Sequence, residues 1–302
     1  MPRRITKAFF AAAAAGATIT TLGLAASPAG AASHGIHFTP SAPQTATSAN
    51  GTPCGAAGDI TGTWLSTDCG KAGYVATGRD FRFASAIVTI PNHTGSVITD
   101  PMIYVALDAS ATNNDFARVG VEPCTTGISG TCPAGDTSGW EAFAQIQEPG
   151  AAVINDFATI SPSLEGDGVF LSAYLVPTGN SVHFVVNAPS QATIINVTDP
   201  VSGPVYTDAQ ALADWTTDTQ PAPVVPLAKI RDTQFFQGRF TTVSGAQGTF
   251  KGPWTLAAVD ATSNGSLPPA GTLIAQPSYL WNDGSGFNGM GNDAFGVWRF
   301  PF

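Results

Sequence analysis

The chain is broken too often to build long helices. Its 33 Gly and 23 Pro put a breaker about every five residues, and between the breakers lie runs rich in β-branched and aromatic residues. Beyond the first thirty residues, no window repeats its apolar positions every 3.6 residues. Such runs fall at 81–90, which stops at Pro91, and at 102–108, 116–121, 143–147, 169–176, 181–187 and 191–197. Further ones fall at 232–243, 254–259, 271–275 and 294–300, and the chain turns strand-like from about Ala72. Val182, Phe184 and Val186 alternate with His183, Val185 and Asn187, and Pro177-Thr178-Gly179-Asn180 supplies the turn of a hairpin with the preceding strand. Many short strands with regular turn signals predict an all-β fold, an antiparallel two-sheet β-sandwich of the concanavalin-like jelly-roll kind, rather than βαβ units.

The first 32 residues are expected to lie outside that fold. Arg3, Arg4 and Lys7 precede an apolar stretch from Ala8 to about Ala26, and Ala29-Gly30-Ala31 is a small-x-small cleavage site. This pattern predicts a secretory signal peptide cleaved near Ala31-Ala32, and hence a secreted, extracellular protein. Residues 33–70 read as a flexible leader and disulfide loop, because Ser33–Thr52 has no hydrophobic period. Residues 71–302 read as one sandwich domain, and a monomer is expected. The mature chain keeps nine basic and all 21 acidic residues, a net charge of −12. That balance argues against nucleic acid or an anionic membrane as partner.

Four cysteines remain after cleavage: Cys54, Cys69, Cys124 and Cys132. An even count in an exported chain predicts two disulfides. Of three connectivities, the local one, Cys54–Cys69 and Cys124–Cys132, is expected; a loop of ~15 residues would add about 3 kcal/mol. The cysteines lack the CxxC spacing of a zinc site, so no metal and no cofactor is expected.

Asp214 is the acid that stands apart. Most acids here lie in turns, whereas Asp214 sits in the apolar stretch Ala211-Leu212-Ala213-Asp214-Trp215. An acid in that setting is costly to desolvate and is retained for a partner or for chemistry.

Seven short segments, in order, resemble the glutamic peptidases called eqolisins, and their bacterial relatives in particular. Ala72-Gly73-Tyr74-Val75-Ala76-Thr77-Gly78 is similar to the opening Trp-x-Gly-Tyr-x-x-x-Gly of that family. Ser85-Ala86-Ile87-Val88-Thr89-Ile90-Pro91 is similar to its Ser-x-x-Trp-x-x-Pro strand. Tyr104-Val105-Ala106-Leu107-Asp108 resembles Trp-Val-Gly-Ile/Leu-Asp, and Val119-Gly120-Val121-Glu122-Pro123-Cys124 resembles Thr-Gly-x-Asp/Glu-x-x-Cys. Phe143-Ala144-Gln145 falls at Trp-Tyr-Glu, Ala213-Asp214-Trp215 at Ala-Glu-Trp, and Val225-Pro226-Leu227-Ala228 at Leu-Pro-Leu-Ala. The match runs from about residue 70 onward. It implies two antiparallel sheets with a cleft on a concave face.

The resemblance also implies a reaction. The family's general base, a Glu, falls on Asp214, and its water-orienting Gln falls on Arg118, so both catalytic positions are substituted. A supporting acid falls on Gln145 and the opening Trp on Lys71, while Asp108 and Glu122 keep supporting acids in kind. With Asp214 as base and Arg118 as oxyanion partner, the expected activity is that of an acid-favouring endopeptidase on a polypeptide substrate. The alternative is a catalytically inactive homologue in which Asp214 and Arg118 form a structural ion pair and the cleft binds a peptide or glycan. Tyr104, Trp140, Phe143 and Trp215 are the aromatics placed near the cleft.

Other chemistries have less support in the sequence. The chain has no Gly-x-Ser-x-Gly elbow. His34 and His37 lie in the leader, His93 in a turn and His183 in a strand, and nothing marks any of them as a base. Glu141, Glu148, Glu165 and Asp167 could supply a glycosidase pair, but no Glu-x-Asp-x-x-Glu strand is present. The run 282–293 is rich in oxygen ligands yet departs from the calcium-loop spacing, so a hairpin is expected there. Asn50, Asn92, Asn196 and Asn264 begin Asn-x-Ser/Thr triplets, which matter only in a glycosylating host.

Overall fold

A computed structural model of the chain describes residues 71–91, 102–109, 115–124, 139–160, 168–188, 191–214, 233–259, 261–262, 273–278, 280–281 and 293–299. They form sixteen strands and, among the described residues, no helix. In chain order these are β1 (Lys71–Thr77), β2 (Phe81–Thr89), β3 (Met102–Asp108), β4 (Phe116–Pro123), β5 (Trp140–Gln147) and β6 (Ile154–Thr159). There follow β7 (Gly168–Leu175), β8 (Ser181–Ala188), β9 (Ala192–Pro200), β10 (Asp208–Asp214) and β11 (Thr233–Thr242). The last five are β12 (Gln247–Gly248), β13 (Thr255–Val259), β14 (Ala261–Thr262), β15 (Leu273–Pro277) and β16 (Phe295–Arg299).

The strands pair into two antiparallel sheets. One runs β13-β1-β10-β3-β4-β5-β6; the other runs β14-β15-β16-β11-β2-β7-β8-β9, with β12 on β11. The sandwich expected from the turn-punctuated pattern is therefore the fold. The hairpin at 177–180 forms as its residues dictate: Gly179 takes φ 70°, and the Val176 N–H donates to the Ser181 carbonyl at 3.0 Å. β8 buries Val182, Phe184, Val186 and Ala188 in strict alternation. Four strands escaped the sequence pattern: the two-residue β12 and β14, and the longer β6 and β10. β6 is an edge strand with no fully buried residue, and β10 is Ala-rich and buried on both faces.

The core between the sheets divides its volume unequally. The seven-stranded sheet presents mainly small residues, among them Ala72, Ala209, Ala211, Ala213, Ala117, Ala142 and Ala144. The larger sheet answers with rings at Phe184, Phe235, Phe240 and Phe295. Phe235 and Phe295 stack at 4.5 Å, and Phe250 meets Phe295 edge-on at 4.9 Å. Large side chains facing small ones let the two layers interdigitate. A bulge in β11 makes room for one ring: at Gly238 an added Cβ would stand 2.0 Å from the Phe250 side chain.

The seven-stranded sheet is also buried on its other side. Val75, Met102, Tyr104, Ala106, Phe143, Leu212 and Val259 form a second apolar cluster there, with Phe157 packed against it. That face carries the candidate site.

Several expectations lie outside the described residues. These are the signal and leader segments 1–70 with Cys54 and Cys69, as well as Cys132, the pairing of Cys124, His93, Glu165, Asp167, Trp215 and the run 282–292. Asn50, Asn92 and Asn264 lie outside them too, whereas Asn196 is exposed on β9.

Candidate functional site

Directly opposed residues in an antiparallel sheet point to the same side, and successive same-face positions lie about 7 Å apart. The register therefore lays out the polar face of the seven-stranded sheet as four transverse rows. The first holds Lys71, Asp214 and Met102 and continues to Glu122, Glu141 and Thr159. The second holds Gly73, Leu212, Tyr104, Gly120, Phe143 and Phe157. The third holds Val75, Gln210, Ala106, Arg118, Gln145 and Asn155. The fourth holds Asp208, Asp108, Phe116 and Gln147. Acids occupy the outer rows, rings the second, and amides with one guanidinium the third.

This arrangement puts the sequence-predicted residues Asp214, Arg118, Gln145, Asp108, Glu122, Tyr104 and Phe143 on one face. Tyr104 occupies the middle: one strand and one same-face step separate it from Asp214, and the same separates it from Arg118. Its hydroxyl donates to Asp214 Oδ2 at 3.3 Å, and the Arg118 guanidinium carbon lies 5.7 Å from its ring centre. Burial first, and then the Asp214 carboxylate, hold the Tyr104 hydroxyl well above its ordinary value, so it remains a donor at any working pH. The cross-strand neighbour of Tyr104, Gly120, leaves the space that the side chain's base occupies. A Cβ there would meet the Ile103 carbonyl at 2.3 Å, Tyr104 Cβ at 2.7 Å and Phe143 Cζ at 2.9 Å.

Asp214 is 1% exposed and also faces the Lys71 ammonium, 3.8 Å from its Oδ2. Arg118 lies among rings, with its guanidinium carbon 4.7 Å from the centre of Phe116 and 6.0 Å from that of Phe143. Its Nε donates to Gln145 Oε1 at 2.5 Å. Asp108 accepts from Gln210 Nε2 at 3.0 Å. Burial raises its carboxyl above the usual range, while the Lys71 charge, the Gln210 hydrogen bond, the Ala109 amide and the Arg118 charge partly offset the rise. Glu122 and Glu141 stand directly opposite each other, both buried. Trp140 packs in the core between the sheets and so lies off this face. Among the described residues no group of His, Cys, Asp and Glu could hold a metal ion.

Lys71, Gln210 and Glu141 also share the face: Lys71 entered the sequence reading only as the position of the family's opening Trp, Glu141 only as a glycosidase candidate, and Gln210 not at all. Lys71 carried one signal, a basic residue opening a strand in a chain poor in charge. Gln210 carried another, since it lies an even number of residues before Asp214.

The fold and this face together define an antiparallel β-sandwich with a polar, ring-lined sheet surface. Solved structures of eqolisin-family peptidases share the fold: scytalido-glutamic peptidase with a peptide-based transition-state analogue, and SCP-B, a member of the eqolisin family, with the tripeptide Ala-Ile-His. Each aligns at a TM-score of 0.50 and 14% identity, over 77% of this chain and 98% of that one. No family model matches the sequence, and no curated protein does.

Proposed function

We propose that this chain is an exported peptidase of the glutamic-peptidase type, an acid-favouring endopeptidase with Asp214 as general base and Arg118 as oxyanion partner. The observation that supports it is Tyr104, whose hydroxyl reaches Asp214 while its ring lies beside Arg118. A rigid strand thus ties a base and a cation to one face. In the proposed reaction Asp214 takes a proton from water as the water oxygen bonds to the peptide carbonyl carbon. The carbonyl π electrons move to oxygen, whose charge Arg118 stabilises. Collapse breaks the C–N bond, and Asp214 returns its proton to the leaving nitrogen. Acid neutralises Asp108, whose carboxyl is raised by burial, and so removes a negative charge from the neighbourhood of Arg118.

The substrate is an unfolded polypeptide, bound by a monomer without cofactor. Incubating the mature protein with such a substrate from pH 2 to 7, beside Asp214→Asn, tests the reading. Cleavage should appear in acid and fall about 10²–10⁴-fold in the variant, the usual weight of a general base. Lys71, 3.8 Å from Asp214, favours a second reading, an ion-paired cleft that binds peptide or glycan without cutting. Absence of cleavage at every pH, with retained peptide or glycan binding, would select it.

A further inference from the structure

We propose that Gln145 is the second hydrogen-bond donor of the oxyanion site and the residue that aims Arg118 into it. The proposal rests on the peptidase reading above and assigns a role to a side chain which that reading leaves idle.

The geometry comes from two adjacent strands. Arg118 on β4 and Gln145 on β5 are direct partners in the register. Arg118 Nε donates to Gln145 Oε1 at 2.5 Å. A guanidinium has donors only, so it fixes which end of the amide faces it: the carbonyl oxygen turns toward Arg118 and the NH₂ turns away. Gln145 is 1% exposed, and its Nε2 has no hydrogen-bond partner among the described residues. A buried N–H without an acceptor is costly and calls for a ligand oxygen or other acceptor. Phe143, two residues before it on β5, also flanks the Arg118 guanidinium, its ring centre 6.0 Å from the guanidinium carbon.

The chemical identity of residue 145 then matters. A carboxylate there would accept from Arg118, cancel its charge and present a second acceptor to the substrate. The amide leaves the guanidinium charge in place and adds a neutral donor beside it. A developing oxyanion needs both, and losing one such donor typically lowers kcat about 10²–10³-fold.

Two variants and one probe test this. Gln145→Glu keeps the shape and replaces the donor with an acceptor, and Gln145→Leu removes both. The probe is a tripeptide whose central amide is replaced by a phosphonate, a stable tetrahedral anion, with binding read by calorimetry. In the wild type the phosphonate should bind and the unfolded substrate should be cut. Gln145→Leu should lose about 10²–10³-fold in kcat at every pH, with KM changed less than about threefold, and should weaken phosphonate binding by a similar factor. Gln145→Glu should be equally impaired near neutrality. Its rate relative to wild type should recover below about pH 4, where a protonated Glu again offers an O–H donor. Full activity and full phosphonate binding in both variants would overturn the proposal while leaving the peptidase reading in place. A pH-independent ratio for Gln145→Glu would overturn the donor role. A wild type that binds the phosphonate without cutting, with binding lost in Gln145→Leu, would uphold the donor site and overturn the peptidase reading. A wild type that does neither would overturn both.

Discussion

The two faces of the seven-stranded sheet are made by the same strands and have little else in common. One presents Ala72, Ala213, Ile103, Val121 and Ala142 to the Phe-rich second sheet. The other presents Lys71, Asp214, Glu122 and Glu141, then Tyr104 and Phe143, then Arg118 and Gln145. Both are buried, and β10 shows no exposed residue along its length. The apolar face gains stability from every atom it hides. The polar face must desolvate charges and recover the cost through partners, which is seldom worthwhile for stability alone. The contrast separates what holds the molecule together from what it is for.

The sharpest way to break that distinction is to move a charge to the wrong side. Ala211 is fully buried on the inner face. Ala211→Asp should cost several kcal/mol, enough to abolish a cooperative thermal transition by calorimetry. Rings come next. Phe184 on the inner core and Phe143 on the polar face are both 0% exposed, and each should lose about 3–5 kcal/mol on truncation to Ala, read from denaturant midpoints. A loss below about 1 kcal/mol for Phe143→Ala would show that the outer cluster is not a second core. The double variant Lys71→Met/Asp214→Leu should be as stable as wild type or up to about 4 kcal/mol more stable and, under the proposed function, should cut no peptide. Clear destabilisation would mean that the pair is structural.

The smallest effect concerns pH. Asp115 is pushed up to about 6, by burial first and then by the Glu148 and Asp108 charges. An acid that holds its proton more tightly when folded makes stability fall as pH rises from about 4 to about 6. Asp115→Asn should flatten that slope in melting temperatures measured across the interval, and an unchanged slope would assign it to another group.

Most of the fold was legible because strand alternation and turn chemistry are local. The run 102–108 coincides with β3, and 181–187 falls one residue short of β8. β10 was not legible as a strand. Asp-Ala-Gln-Ala-Leu-Ala-Asp has weak strand propensity, and burial on both faces erases the period-2 signal. The edge strand β6 failed for the opposite reason, since with so little of it buried it has no apolar face to mark it. The site was legible only in part. Asp214 stood out as an acid among apolar residues, and the resemblance singled out Arg118. Their meeting at Tyr104 depends on the register of β10 against β3, which brings together residues 110 positions apart in the chain, and no local pattern encodes it. The pairing of Lys71 with Asp214 stayed hidden likewise, because the two lie on strands that meet only after folding.

Gly120 gives the site an unusual vulnerability. A single methyl at that position would press on the Ile103 carbonyl, on Tyr104 Cβ and on the Phe143 ring, so the tyrosine beside both charged groups would have to shift. Carboxylate and guanidinium would then drift out of alignment together, although neither had been altered. An inheritable defect in this molecule could therefore arise from a neutral, featureless residue, and it would mimic the loss of two charged side chains at once.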